Sequence, residues 1–303
     1  MNNLSKKIRS LCEQKHAVIM AHYYTLPEIQ EVADFIGDSL ALAQKAKTIE
    51  ADIIVLCGVH FMGETAKIIC PNKKVLVPDM NAGCSLADSC EAKALAQLKA
   101  QYPNAMVVSY VNTTAAVKAL TDIVVTSSNA EKIINQLPQE QEIIFGPDRN
   151  LGAYLNKVTG RKMILWDGCC QVHNSIEPEQ IDALKQQYPH AIVLAHPECK
   201  GTVLEKADVI GSTAALLNFA KSHDYEQYIV VTESGIMHEL QKHCPYKQFI
   251  PVGAICEDMQ LSTLDKLYNC LLTEQPEIQV DTVIAEKAIV SIQRMLEMSE
   301  KWK

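Results

Sequence analysis

The chain has 303 residues, 48% of them hydrophobic and 21% charged, an ordinary globular composition with length enough for two or three compact units. Acidic residues outnumber basic ones by 36 to 28, and the resulting net charge of −8 argues against a nucleic-acid partner, which needs a basic face. The longest uncharged apolar stretch near the middle, residues 53–62, is too short to span a bilayer, and no signal-peptide core follows the polar N-terminus, so a soluble, cytoplasmic chain with no membrane partner is expected.

Read in chain order, Lys15-His16-Ala17 leads into the apolar run VIM, which ends at His22-Tyr23-Tyr24. Asp34-Phe35-Ile36-Gly37-Asp38-Ser39 then opens a helical pattern over 40–48. The run IIVLC leads to Gly58, helical spacing returns over 62–69, and KVLVP leads to Cys84 and a helical pattern over 92–99. At this point the order begins again. Tyr102-Pro103-Asn104-Ala105 precedes MVVS and Tyr110-Val111-Asn112. Asp122 to Ser127 repeats the aspartate-to-hydroxyl mark, EIIF leads to Gly146, and KMILW leads to Cys170. A third pass runs from Tyr188-Pro189-His190-Ala191 through IVLA, His196-Pro197-Glu198, Asp208 to Thr213, YIVV with Thr232, and QFIPV to Cys256.

The spacing is tight: Cys84, Cys170 and Cys256 lie 86 and 86 apart, while His22, Tyr110, His196 and likewise Ser39, Ser127, Thr213 lie 88 and 86 apart. A threefold internal repeat follows. Strands alternating with helices predict parallel sheets covered on both faces. The expected fold is therefore α/β, with three homologous three-layer α/β/α domains arranged around a pseudo-threefold axis. The units are residues 1–100, 101–186 and 187–278. The C-terminal helix expected over 283–298, within the segment 279–303, is predicted to pack back on the first.

Every register mark falls just after a strand, and ligands of open parallel sheets bind at the carboxyl ends of strands. Three such crevices turned inward would bring equivalent residues together. Of eleven cysteines, only Cys84, Cys170 and Cys256 are equivalent across the copies. Cys169 adjoins Cys170, and only register separates them. A lone cysteine is usually a buried small apolar residue. Three in register point to thiolates on one metal centre, and soft thiolates without a fourth protein ligand suit an iron–sulfur cluster with one open iron better than structural zinc.

The polar marks carry proton-transfer groups: His22, Tyr110 and His196, then Tyr24, Asn112 and Glu198. Glu198 with Tyr24 could supply acid and base. His173, three residues after Cys170, could reach the same centre. Ser39, Ser127 and Thr213 each open a helical run, as N-caps do. Helix N-termini also bind anions, which predicts a small, multiply anionic substrate. Neither GxGxxG nor GxxxxGK[ST] occurs, so a dinucleotide or P-loop reading lacks its fingerprint.

Over nearly its whole length the sequence resembles the quinolinate synthase family. The stretches that carry the resemblance include AHYYTLPEIQEVADFIGDSL, GVHFMGETAKI, VPDMNAGCSLAD, SYVNTTAAVKAL, FGPDRNLGAYL, HPEC, ADVIGSTAAL and TESGIMHEL. The resemblance implies condensation of iminoaspartate with dihydroxyacetone phosphate to quinolinate in NAD biosynthesis. It implies a 4Fe–4S cluster on Cys84, Cys170 and Cys256 with one open iron. Tyr24 and Glu198 are implied as acid/base groups, with His22, His173 and His196 as further proton-transfer or substrate contacts. Tyr110, Asn112, Ser39, Ser127 and Thr213 are implied to bind substrate, with Met259 lining the cavity. A transient partner, an L-aspartate oxidase or dehydrogenase, would supply iminoaspartate. The family's CxxCxxC variant at the third cysteine is absent, because residues 251–256 read PVGAIC. A non-catalytic iron–sulfur redox sensor and a zinc hydrolase are the competing readings.

Overall fold

A computed structural model describes residues 3–300 of the chain. The first repeat contains α1 (Asn3–Lys15), β1 (Ala17–His22), α2 (Pro27–Val32), β2 (Phe35–Gly37), α3 (Ser39–Ala46), β3 (Ile53–Cys57), α4 (His60–Ile69), β4 (Lys74–Leu76) and α5 (Ser85–Asp88). The second runs through α6 (Ala92–Gln101), β5 (Met106–Tyr110), α7 (Ala115–Lys118), β6 (Ile123–Val125), α8 (Ala130–Gln136), β7 (Ile143–Gly146), α9 (Arg149–Thr159), β8 (Ile164–Leu165) and α10 (Gln171–Asn174). The third has α11 (Pro178–Gln187), β9 (Ile192–Ala195), α12 (Gly201–Leu204), β10 (Val209–Ile210), α13 (Thr213–Ser222), β11 (Gln227–Val231), α14 (Ile236–His243), β12 (Gln248–Pro251) and α15 (Glu257–Gln260). Two helices follow, α16 (Leu264–Thr273) and α17 (Thr282–Glu300).

The twelve strands form three four-stranded sheets with one topology: β2-β1-β3-β4, β6-β5-β7-β8 and β10-β9-β11-β12. Every pairing is parallel. The aspartates of the repeat mark explain part of this register. Asp34, Asp122 and Asp208 each follow the second helix of their repeat, and each carboxylate accepts a 2.8 Å hydrogen bond from a first-strand N–H, of Ile19, Val107 and Val193 respectively. Each aspartate's own N–H returns to the carbonyl of that same residue. The carboxylate thus fixes where the second strand joins the first.

Side chains alternate across each sheet. Ile19 and Ala21 of β1 enter a cluster with Ile8, Ile29 and Leu267, while Met20 enters a larger one. Val107 and Val108 divide in the same way, as do Val193 and Leu194. One face of each sheet therefore has its own helices, and the opposite faces of all three belong to one continuous core. Buried apolar surface contributes about 25 cal/mol per Å², so this shared core helps hold the three repeats together.

The C-terminal helix departs from expectation. α17 packs chiefly on α7 and β6 of the second repeat, and also on α4 of the first. Ser291 Oγ donates to Lys118 O and Asn129 Nδ2 to Ser299 Oγ. It is α16 that lies against α1. Apolar spacing marks a buried face and does not name the surface that covers it.

Candidate active site

The first and third strands of each sheet adjoin, at the point where strand order reverses. Loops leaving their carboxyl ends surround one cavity. It is lined by His22, Tyr24 and Ser39 from the first repeat; by Tyr110, Asn112, Ser127, Cys170 and His173 from the second; and by His196, Glu198, Thr213, Cys256 and Met259 from the third, with Cys84 completing the first. Every site residue proposed from the sequence thus reaches one cavity. Cys169 is not among the lining residues.

Ser39, Ser127 and Thr213 need a correction. They are not N-caps. Asp38 caps α3 by accepting from Ala41 N, and Ser212 caps α13 by accepting from Ala215 N, so Ser39 and Thr213 are first helical residues. In the second repeat the helix starts later, at Ala130, because Asn129 Oδ1 accepts from Thr126 N and holds Ser127 in a turn. Extended backbone at Asp38 and Ser212 brings their short side chains back onto the helix, which spares the following hydroxyls for the cavity. Ser128 Oγ donates to Asp38 Oδ2 at 2.5 Å and lies within hydrogen-bond distance, 2.8 Å, of Ser212 Oγ, joining the caps of α3 and α13 to the turn at Ser127.

Glu198 is the centre of the polar network. Tyr110 OH donates to its Oε1 at 2.5 Å, and His173 Nδ1 lies 3.1 Å from its Oε2. Burial opposes the charge on this carboxyl. The imidazoles of His173 and His196, with the hydrogen bonds from His173 and Tyr110, outweigh burial and hold it below its ordinary range. His173 Nδ1 is also 3.3 Å from Cys170 Sγ, its Nε2 is 2.8 Å from Thr232 Oγ1, and its ring stacks on His196 with centroids 4.7 Å apart. Tyr24 OH bonds Thr213 Oγ1 at 2.9 Å and Thr232 Oγ1 at 2.7 Å. Burial raises the Tyr24 phenol well above its usual value.

His22 and His196 repeat one local geometry. Tyr24 N donates to His22 Nδ1 at 3.2 Å, and Glu198 N to His196 Nδ1 at 3.4 Å. With Nδ1 accepting, a neutral ring carries its proton on Nε2. Burial lowers His22 to about 4 and His196 to about 3, so both rings are neutral near pH 7.

Each cysteine in register precedes a four-residue helix: Cys84 before α5, Cys170 before α10 and Cys256 before α15. Burial raises all three thiols, Cys84 to about 12 and Cys256 to about 11. Backbone N–H groups of the following helix act the other way, those of Ala87 and Leu86 on Cys84, His173 on Cys170, and Met259 and Asp258 on Cys256. Among the described residues, one set of three donors has all its ligand atoms within 4.8 Å of one another: Cys170, His173 and Glu198. The three cysteines do not form such a set, whereas two thiolates on one zinc lie about 3.8 Å apart.

Three residues were missed in the sequence. Asp148 Oδ2 accepts from Cys170 N at 2.9 Å, and Glu233 Oε1 accepts from Cys256 N at 3.2 Å. Thr232 joins Tyr24 to His173. All three follow a third strand, and Thr232 is itself the register mark equivalent to Gly146, so that position was the available signal.

Comparison with known proteins bears on this arrangement. The chain is 54% identical to a quinolinate synthase of Rippkaea orientalis, covering 98% of this chain and 94% of that protein. It is 51% identical to one of Microcystis aeruginosa, over 98% and 96%, and 50% identical to one of Chloroherpeton thalassium, over 98% and 95%. A family profile described as quinolinate synthetase A protein matches residues 6–297. That match takes in all three sheets and the whole cavity, and the chain belongs to the quinolinate synthetase A family.

Proposed function

We propose that this chain is a cytoplasmic quinolinate synthase, condensing iminoaspartate with dihydroxyacetone phosphate to quinolinate, phosphate and water in NAD biosynthesis. One observation carries the reading. Three thiols from three repeats share a cavity with Glu198, a buried carboxylate hydrogen-bonded by Tyr110 and His173. The names of relatives at 50–54% identity support the reaction. The three units, 1–100, 101–186 and 187–278, are read as a pseudo-threefold arrangement with α17 lying across the first two. The bonds of Ser128 to Asp38 and Ser212 support that arrangement.

Cys84, Cys170 and Cys256 would hold a 4Fe–4S cluster. The donor set fits: soft sulfurs, spaced wider than one zinc needs, facing N–H groups that favour thiolate. When bound, such a cluster supplies an iron without a protein ligand, a Lewis acid for a hydroxyl or carboxylate.

The chain's own residues do the rest. Glu198, ionised at neutral pH, is placed to accept a proton on its carboxylate, which Tyr110 and His173 hold in position. Tyr24, held by Thr213 and Thr232, stays a neutral O–H donor, able to protonate a leaving oxygen. His22 and His196 present Nε2–H to developing negative charge. The first turns of α3 and α13, at Ser39 and Thr213, offer free N–H groups to carboxylate or phosphate. Ser127, Tyr110, Asn112 and Met259 complete the walls around the anion. Iminoaspartate is unstable, so a transient encounter with an aspartate oxidase or dehydrogenase would deliver it.

A second reading has one observation in its favour. Cys170, His173 and Glu198 also match the mixed donors of a catalytic zinc. Anaerobically purified protein separates the two. Quinolinate formation with iron and sulfide present supports the synthase. Zinc without sulfide and without quinolinate supports the hydrolase. Iron and sulfide with no response to quinolinate leaves a redox sensor.

A further inference from the structure

The segment leaving the first strand carries a cavity residue at the same place in all three repeats, Tyr24, Asn112 and Glu198, but it is fastened in different ways. After β1, Gln30 lies six residues beyond Tyr24; after β5, Lys118 lies six beyond Asn112; after β9, Leu204 lies six beyond Glu198. Gln30 Nε2 donates to Tyr23 O at 3.0 Å and Thr25 O at 2.7 Å, the two carbonyls flanking Tyr24. Lys118 Nζ donates to Val111 O at 2.8 Å and to Thr113 O, the two flanking Asn112. Both side chains are sealed from water, Gln30 at 1% and Lys118 at 0% exposure. Leu204 has no such donor, and there Pro197 stands between His196 and Glu198, fixing φ covalently.

A fully buried lysine is costly unless paired, and among the described residues no carboxylate lies within ion-pair distance of Lys118. Core packing alone would be served better by an apolar side chain. Neither Gln30 nor Lys118 lines the cavity, so neither is placed to touch substrate. Gln30 Oε1 has no partner, while its Nε2 faces a third carbonyl, that of Gly235, at 3.1 Å. The side chain is thus used solely as a donor, which is also all that a lysine offers.

We propose that Gln30 and Lys118 are equivalent positioning residues, each tying together the two carbonyls around a cavity residue so that Tyr24 and Asn112 meet substrate in one fixed conformation. This rests on the reading of Tyr24 and Asn112 as acid/base and substrate-binding groups. The proline of the third repeat does the same for Glu198 by a different means.

The test uses the cluster-loaded full chain. Lys118→Met keeps length and removes the donors, and Lys118→Gln copies the first repeat. Two buried hydrogen bonds are at stake, so amide exchange across 111–114 in Lys118→Met should quicken by about tenfold or more, and kcat/KM should fall by about as much, mainly through KM. Iron content should hold, and Lys118→Gln should recover most of both losses. Should Lys118→Met not fold, Gln30→Leu carries the same expectation for 23–25. Wild-type exchange and KM in the donor-less variant would overturn the proposal, as would Lys118→Gln behaving like Lys118→Met. Exchange is read without substrate, so a wild-type chain that makes no quinolinate would refute the synthase reading and leave the clamp result standing.

Discussion

Tyr110→Phe tests the network around Glu198 with the smallest change. The ring and its packing stay, and one O–H is lost from a 2.5 Å bond between two buried groups, Tyr110 at 5% and Glu198 at 3% exposure. A hydrogen bond to a charged group is worth about 1.5–3 kcal/mol, and tenfold in rate or equilibrium is about 1.4 kcal/mol. Losing it removes one of the influences that hold the Glu198 carboxyl low against burial. The carboxyl is depressed in the folded chain, so losing the bond lets its pKa rise toward the ordinary carboxylate value, and it stays ionised at neutral pH. At neutral pH kcat/KM should fall by about tenfold to a hundredfold, with iron content unchanged, because Tyr110 does not bond a cysteine. The assay is quinolinate formation at neutral pH with anaerobic enzyme. An unchanged kcat/KM would refute the role given to this bond.

Three further outcomes are expected. Cys84→Ala, Cys170→Ala and Cys256→Ala should each lose iron and sulfide on reconstitution, while Cys169→Ala, outside the cavity lining, keeps both; iron retained by Cys170→Ala would reverse the assignment. In Gly235→Ala the new Cβ would lie 2.6 Å from Tyr24 Cα and 2.7 Å from its carbonyl carbon, so the loop must move at a cost of about 1–3 kcal/mol. Activity should drop, and a fully active variant would show that Tyr24 is not held by this contact. His22 at about 4 and His196 at about 3 bind protons less readily folded than unfolded, so the cluster-free chain should lose about 3 kcal/mol for each as pH falls from 6.5 to 4. Denaturant titrations at pH 7, 5.5 and 4.5 read this directly, and a flat profile would contradict it.

The repeat was legible because the same structural demands recur. Asp34, Asp122 and Asp208 are kept by the strand N–H groups they accept from, and the cysteines by a common position before a short helix. Residues with equivalents could therefore be placed in the cavity by counting. His173 was found by its closeness to Cys170, but other residues with no equivalent in all three copies escaped. Asp148 and Glu233 brace a cysteine N–H in only two repeats, and Gln30 and Lys118 share a job but not a residue type. In the first and third repeats the helix starts were misjudged by a residue because a hydroxyl at the first helical position and one at the cap look alike in sequence, and only backbone dihedrals distinguish them. The surface covered by α17 was also beyond reach, since amphipathic spacing carries no address.

Iron and acid-labile sulfide counted per chain after anaerobic purification, with the visible spectrum followed as quinolinate is added, bears most directly on the three thiols. About four of each per chain, and a spectrum that changes with the dicarboxylate, are predicted for a cluster with an open iron. Zinc in place of iron and sulfide, or a cluster whose spectrum ignores quinolinate, would contradict it.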